Sequence, residues 1–145
     1  MKKILRFIGF LVLAFTIYSC AKDNDKLILQ NFANKIVDDS NLIQDIVSKD
    51  VQTTPKGKKM AEDILNLIRA GYKKKQGEII VYSNTEYKKN KHEGEYKLNE
   101  GDKLYYIKFN DELILPFVVN KNSKIVVLLV ITKGDVIISN SRSDE

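Results

Sequence analysis

TPKGKKMAEDILNLIRAGYKKKQGEIIVYSNTEY, residues 54–87, contains the change of period on which the fold turns. Through Tyr72 the apolar residues Met60, Ala61, Ile64, Leu65, Ile68 and Tyr72 recur every three or four positions. That spacing predicts an amphipathic helix with one face toward a core. Thr54 stands where an N-cap is needed, and Pro55 takes the first helical position, where its missing N–H has no partner to lose. Lys73, Lys74 and Lys75 close the helix at the end where its dipole favours positive charge. After Gly77 the period becomes two. Ile79, Val81, Ser83, Thr85 and Tyr87 alternate with Ile80, Tyr82 and Asn84, which predicts a long strand over 78–87.

Downstream, 88–100 is charged and reads as a hairpin loop, and 102–109 alternates again. Asn110-Asp111 turns the chain into a strand over 112–119, in which Pro116 argues for an edge position or a bulge. After a turn at 120–123, Lys124 to Thr132 is almost wholly apolar, as in a strand covered on both faces. Lys133-Gly134-Asp135 is a further turn, 136–139 a last strand and 140–145 a polar tail. Upstream, Ile28, Phe32 and Ile36 with Leu29, Ala33 and Val37 form a helical stripe. Ser40 is a candidate N-cap for a short helix carrying Leu42, Ile43, Ile46 and Val47. Helices first and strands afterwards predict one α+β domain over 27–139, its helices packed on one face of a curved antiparallel meander.

The first twenty residues speak to location. Lys2, Lys3 and Arg6 precede an uncharged run, Phe7 to Tyr18, of signal-core length. A bilayer-spanning helix needs about 20 apolar residues, more than this run provides. Ile17-Tyr18-Ser19-Cys20 resembles the lipobox of bacterial lipoproteins, with an aliphatic residue three before the cysteine and a small one just before it. Tyr18 departs from the smaller residue usual in that motif. The resemblance implies removal of residues 1–19, attachment of diacylglycerol to the Cys20 thiol and acylation of the new amino terminus by a chain such as palmitate. Residues 20–26 are then the lipidated cysteine and a polar tether, and Lys22-Asp23 is similar to signals that route lipoproteins to the outer membrane and its surface. The expected location is the cell envelope.

Composition narrows the chemistry. Without its three basic leader residues the chain has 21 Lys+Arg against 19 Asp+Glu, a net of +2. Nucleic-acid binders concentrate basic charge on one face, and a balanced chain gives no reason to expect such a partner. Cys20 is the sole cysteine and His92 the sole histidine, so neither a disulfide, a thiolate metal site nor a paired-imidazole site is expected. Asp23, Asp25, Asp38, Asp39 and Asp45 lack the spacing of a calcium loop. Tyr82, Tyr105 and Tyr106 are the candidate contacts for a ligand or partner, with Tyr87 and Tyr96 nearby and lysines interleaved.

The order of elements, a helix, the short segment 40–48, the 54–72 helix and a long bent sheet, resembles the nuclear transport factor two-like, or SnoaL-like, group of the cystatin-like folds. That resemblance implies a sheet curled into a cone around its helices, with a cavity used by some members for isomerase or dehydratase chemistry. Such chemistry needs a carboxylate base and a donor for the oxyanion. Asp102, Glu112 and Asp135 sit beside turns and match no catalytic position. The expected function is therefore non-catalytic: an envelope lipoprotein that binds another envelope protein or a small ligand, with no cofactor beyond the lipid on Cys20. An isomerase-type enzyme and an immunity or inhibitor lipoprotein are the alternatives. Replacing Cys20 with Ala is expected to abolish incorporation of labelled palmitate and leave a folded but unanchored or unprocessed protein; unchanged processing, membrane retention and labelling would refute the lipobox reading.

Overall fold

The computed structural model describes residues 24–88, 98–129 and 138–139. The leader, Cys20, Tyr96, His92, the turn at 133–135 with its Asp135, and the polar tail fall outside these residues. Helix α1 runs through residues 24–37, followed by α2 (Ile43–Asp50) and α3 (Pro55–Lys74). Then come β1 (Ile80–Ser83), a short helix α4 (Asn84–Lys88), β2 (Lys103–Lys108), β3 (Ile114–Val119), β4 (Ile125–Leu129) and β5 (Ile138–Ser139). The strands lie in sequence order, each antiparallel to the next, so the architecture is α+β with an open meander. Among the described residues no helix is long and apolar enough to cross a membrane.

The helical stripes behave as their periods require. Leu29, Phe32, Ala33 and Ile36 of α1 are buried against Ile43, Ile46 and Val47 of α2 and Ala61, Leu65 and Ile68 of α3. The sheet completes this core with Val81, Tyr105, Ile107, Phe109, Phe117, Val119 and Ile125. Phe117 meets Phe32 edge-on at 5.8 Å between ring centroids and Phe109 at 6.5 Å. Thr54 caps α3 as expected, its hydroxyl accepting from the Gly57 N–H at 3.1 Å, with Pro55 at the first position. Met60, however, is 43% exposed and Leu42, at the N-cap of α2, is 66% exposed, so neither belongs to the buried stripe of its helix.

Ser40 is not a cap. Leu42 occupies the N-cap position of α2 without a side-chain bond, while Asp38 makes the turn, accepting from the Ser40 N–H at 2.9 Å and from the Asn41 amide at 3.1 Å. Those contacts, the Ser40 backbone bond foremost, hold the Asp38 carboxyl below its ordinary range. The predicted strand over 78–87 is cut to four residues. Ser83 and Glu86 form a reciprocal capping box, with Ser83 N–H to Glu86 Oε2 at 2.6 Å and Glu86 N–H to Ser83 Oγ at 3.3 Å. Two helical donors satisfied together favour a turn of helix over two more strand pairs. Residues 24–26, read from sequence as tether, belong to α1. Pro116 sits in an interior strand, opposite Tyr106 on β2, but the ladder to β4 begins only at Phe117 opposite Val127. On that side the position keeps the edge character that proline needs.

Two polar side chains fasten the far end of the domain. Arg69 of α3 donates to the carbonyls of Ile36 at 2.5 Å, Asn41 at 2.9 Å, Asp38 at 3.1 Å and Lys35 at 3.4 Å, so it caps the carboxyl end of α1 and holds the following loop. Asn110, 3% exposed, accepts from the N–H groups of Glu112 and Leu113 and donates to the Lys75 carbonyl at 2.6 Å, joining the β2–β3 turn to the end of α3. Gly77 permits this approach: a Cβ there would lie 2.9 Å from the Asn110 Cα. Replacing Arg69 with Ala is expected to lower stability by roughly 2–3 kcal/mol, because charge-assisted bonds are lost and helix-end carbonyls are left under-satisfied. Urea unfolding measures this, and Arg69→Lys is expected to recover little, since one ammonium cannot reach all four carbonyls.

Candidate functional site

The three tyrosines singled out from sequence do not converge. Tyr105 and Tyr106 are neighbours on β2, so the strand pleat sends them to opposite faces. Tyr106 pairs directly across from Tyr82 of β1 and shares its face, away from the helices. There Tyr87 of α4 stacks on Tyr106 with centroids 3.9 Å apart and planes 19° apart, and tilts against Tyr82 at 6.3 Å. Leu104, Val118 and Val126 fill the rest of this second cluster. The capping box at Ser83 is what brings Tyr87 here; on the predicted strand it would have faced the same way as Val81. Tyr106 is 1% exposed, so of the pair only the half-buried Tyr82 offers surface to a partner.

Tyr105 faces the helices and meets a residue that sequence reasoning had placed in the tether. Its hydroxyl donates to Asp25 Oδ2 at 3.0 Å, and the same oxygen accepts from the Lys103 ammonium at 2.6 Å. Asp25, in the first turn of α1, is 8% exposed. Burial, reinforced by the bond to Asp25, pushes the Tyr105 phenol well above its ordinary value. Beside this pair Lys26 forms an ion pair with Glu86 at 2.8 Å. That contact, followed by the Ser83 bonds, draws the Glu86 carboxyl down to about 2. A buried carboxylate against a phenol is the pairing an isomerase-type site would need; among the described residues the core beside it is aromatic and buried. Phe32, Phe109 and Phe117 are each 1% exposed or less, and Leu115 packs against them. The bonds to Asp25 latch the start of α1 to the start of β2.

Among the described residues, open surface lies elsewhere. A groove of about 620 Å³ runs between the α1–α2 loop with the start of α2 and one side of α3, lined among others by Asn41, Leu42, Pro55, Lys59, Glu62 and Arg69. Leu42 at its rim is 66% exposed, and Leu67 on the adjacent outer stripe of α3 is 72% exposed. A smaller pocket of about 200 Å³ has Phe32 and Ile125 beneath it and the Lys35–Asp50 ion pair, 2.8 Å, at its edge. Among the described residues no group of three histidine, cysteine or acidic side chains is placed to hold a metal. Glu112 is exposed and Asp102 half-buried beside its turn; Asp135 lies outside the described residues. No family model, curated protein or solved structure matches the chain.

The latch has a pH signature. A phenol whose folded-state pKa is raised stabilises the fold fully below its unfolded value of about 10 and loses that contribution as pH rises above it. For Glu86 the sign is opposite: its contribution is present above the ordinary carboxylate value and is lost as pH falls toward about 2. Urea unfolding at a series of alkaline pH values is expected to show stability falling above about pH 10, with a shallower fall in Tyr105→Phe. Equal slopes would show that the Tyr105 proton is not bound more tightly in the folded state.

Proposed function

We propose that this chain is a lipid-anchored protein of the cell envelope whose single domain binds another envelope protein and performs no catalysis of its own. The lipobox resemblance ending at Cys20 supports the anchor. The observation that carries the binding role is the α2–α3 groove, edged by an exposed Leu42 and flanked by an exposed Leu67, on a domain whose interior is filled. Large apolar side chains left in water beside a groove, within a polar rim of Lys58, Lys59, Glu62 and Asp63, are the composition of a protein contact with an apolar centre. Kinship with the nuclear transport factor two-like group is supported by the order of elements alone. In this reading the cone of that group is filled by Phe109 and Phe117, and the outer surface takes over the work.

Photo-crosslinking from position 42 in intact cells tests the reading. A cross-linkable residue at Leu42, and another at Leu67, is expected to yield one defined protein adduct, whereas the same residue at Lys121 yields none. Leu42→Glu is expected to abolish the Leu67 adduct while leaving thermal unfolding unchanged. Adducts of equal yield from all three positions, or a small molecule captured in place of a protein, would refute the proposal.

A further inference from the structure

We propose that the end of the domain carrying Leu27 and Leu98 rests on the lipid bilayer, so that the α2–α3 groove is presented with a fixed orientation. This deepens the preceding reading and rests on Cys20 being the lipid attachment point. Five peptide steps separate Cys20 from Asp25, a reach of at most about 18 Å when fully extended. A domain of this size is roughly 35 Å across. The tether is thus shorter than the domain is wide, and only the end at which it enters can touch the membrane.

The latch keeps it short. Unwinding the first turn of α1 to lengthen the tether would pull Asp25 from Lys103 and Tyr105 and Lys26 from Glu86. What lies at that end follows from the register. Lys103 opposes Val119, and Val119 opposes Ile125, so the starts of β2 and β4 and the end of β3 are together. The turn at Gly101, whose φ of 86° suits glycine, lies against Lys121, where an added Cβ would approach the Lys121 Cβ to 3.2 Å. The end of α2 joins them through the bridge from Val51 to Ile125. Leu27, in the first turn of α1, is 58% exposed, and Leu98, just before the Gly101 turn, is 36% exposed. Two exposed leucines at the end where α1 begins are apolar groups that a bilayer interface would cover.

Among the described residues of this end, charge is largely matched. Lys103 and Lys26 are engaged by Asp25 and Glu86, and Glu100 is exposed beside Lys121. The groove, by contrast, runs along one side of α3 from Pro55, three residues after the Gln52–Ile125 bond, up to Arg69 and Asn41, so it rises from this end of the domain along its flank.

Because Cys20 is the sole cysteine, a lipidated protein takes a thiol-reactive dye only where a cysteine is introduced. Full-length Leu27→Cys, Leu98→Cys and Leu67→Cys proteins, processed in cells, are purified, labelled with an environment-sensitive dye and reconstituted into phosphatidylcholine vesicles containing a lipid-borne quencher. Dyes at 27 and 98 are expected to blue-shift and lose most of their emission, and the dye at 67 to lose none, equally with or without phosphatidylglycerol. Unquenched dyes at 27 and 98, equal quenching at 67, or quenching that requires phosphatidylglycerol would overturn the orientation. Dye uptake by the unsubstituted protein would instead show Cys20 unmodified and defeat the anchor itself.

Discussion

The carboxylate of Asp25 is the constraint on which the arrangement of this domain depends. One oxygen, largely removed from water, accepts from a tyrosine hydroxyl and a lysine ammonium on a strand some eighty residues later. A buried carboxylate with fewer donors would cost several kcal/mol, so the first turn of α1 is held wherever β2 begins. Arg69 holds the other end of the same helix by its carbonyls. With both ends tied, the stripe Leu29, Phe32, Ala33 and Ile36 is kept in register over the sheet, and packing against Phe117 follows.

The helix is seated on aromatic side chains of the sheet. Antiparallel meanders covered on one face commonly present a polar second face, but β2 and β3 bury residues on both sides, with Leu104, Tyr106 and Val118 forming a cluster opposite the helices. The short helix α4 supplies Tyr87 to that cluster, and the stacked ring, which adds a contribution of about 1 kcal/mol beyond its buried area, makes the second face part of the core. Among the described residues the open surface includes the groove along α3.

Much of the local structure was legible in the residues. Thr54-Pro55 announced α3, the change of period after Gly77 placed the passage from helices to strands, and Asn110-Asp111 marked a turn, because caps, pleats and Asx turns are made between residues close in sequence. Ser83-Asn84-Thr85-Glu86 carried the spacing of a capping box and was overridden by an alternation that continued through it; the box is the signal that would have found α4. The expected cap at Ser40 failed for a related reason, since Asp38, two residues earlier, had already taken the turn's donors.

By itself the sequence determined the class of the domain, the helical faces, the order of strands and the motif at Cys20, since each rests on periods or spacings within about twenty residues. Tertiary structure alone decided that Tyr105 and Tyr106 serve opposite faces of one packed sheet and that Arg69 collects four carbonyls, two from the last turn of α1 and two from the loop after it. It also decided that Asp25 is buried. Tether and helix differ there only in whether a carboxylate finds donors, and those donors arrive from strand β2, which no local pattern around Asp25 encodes.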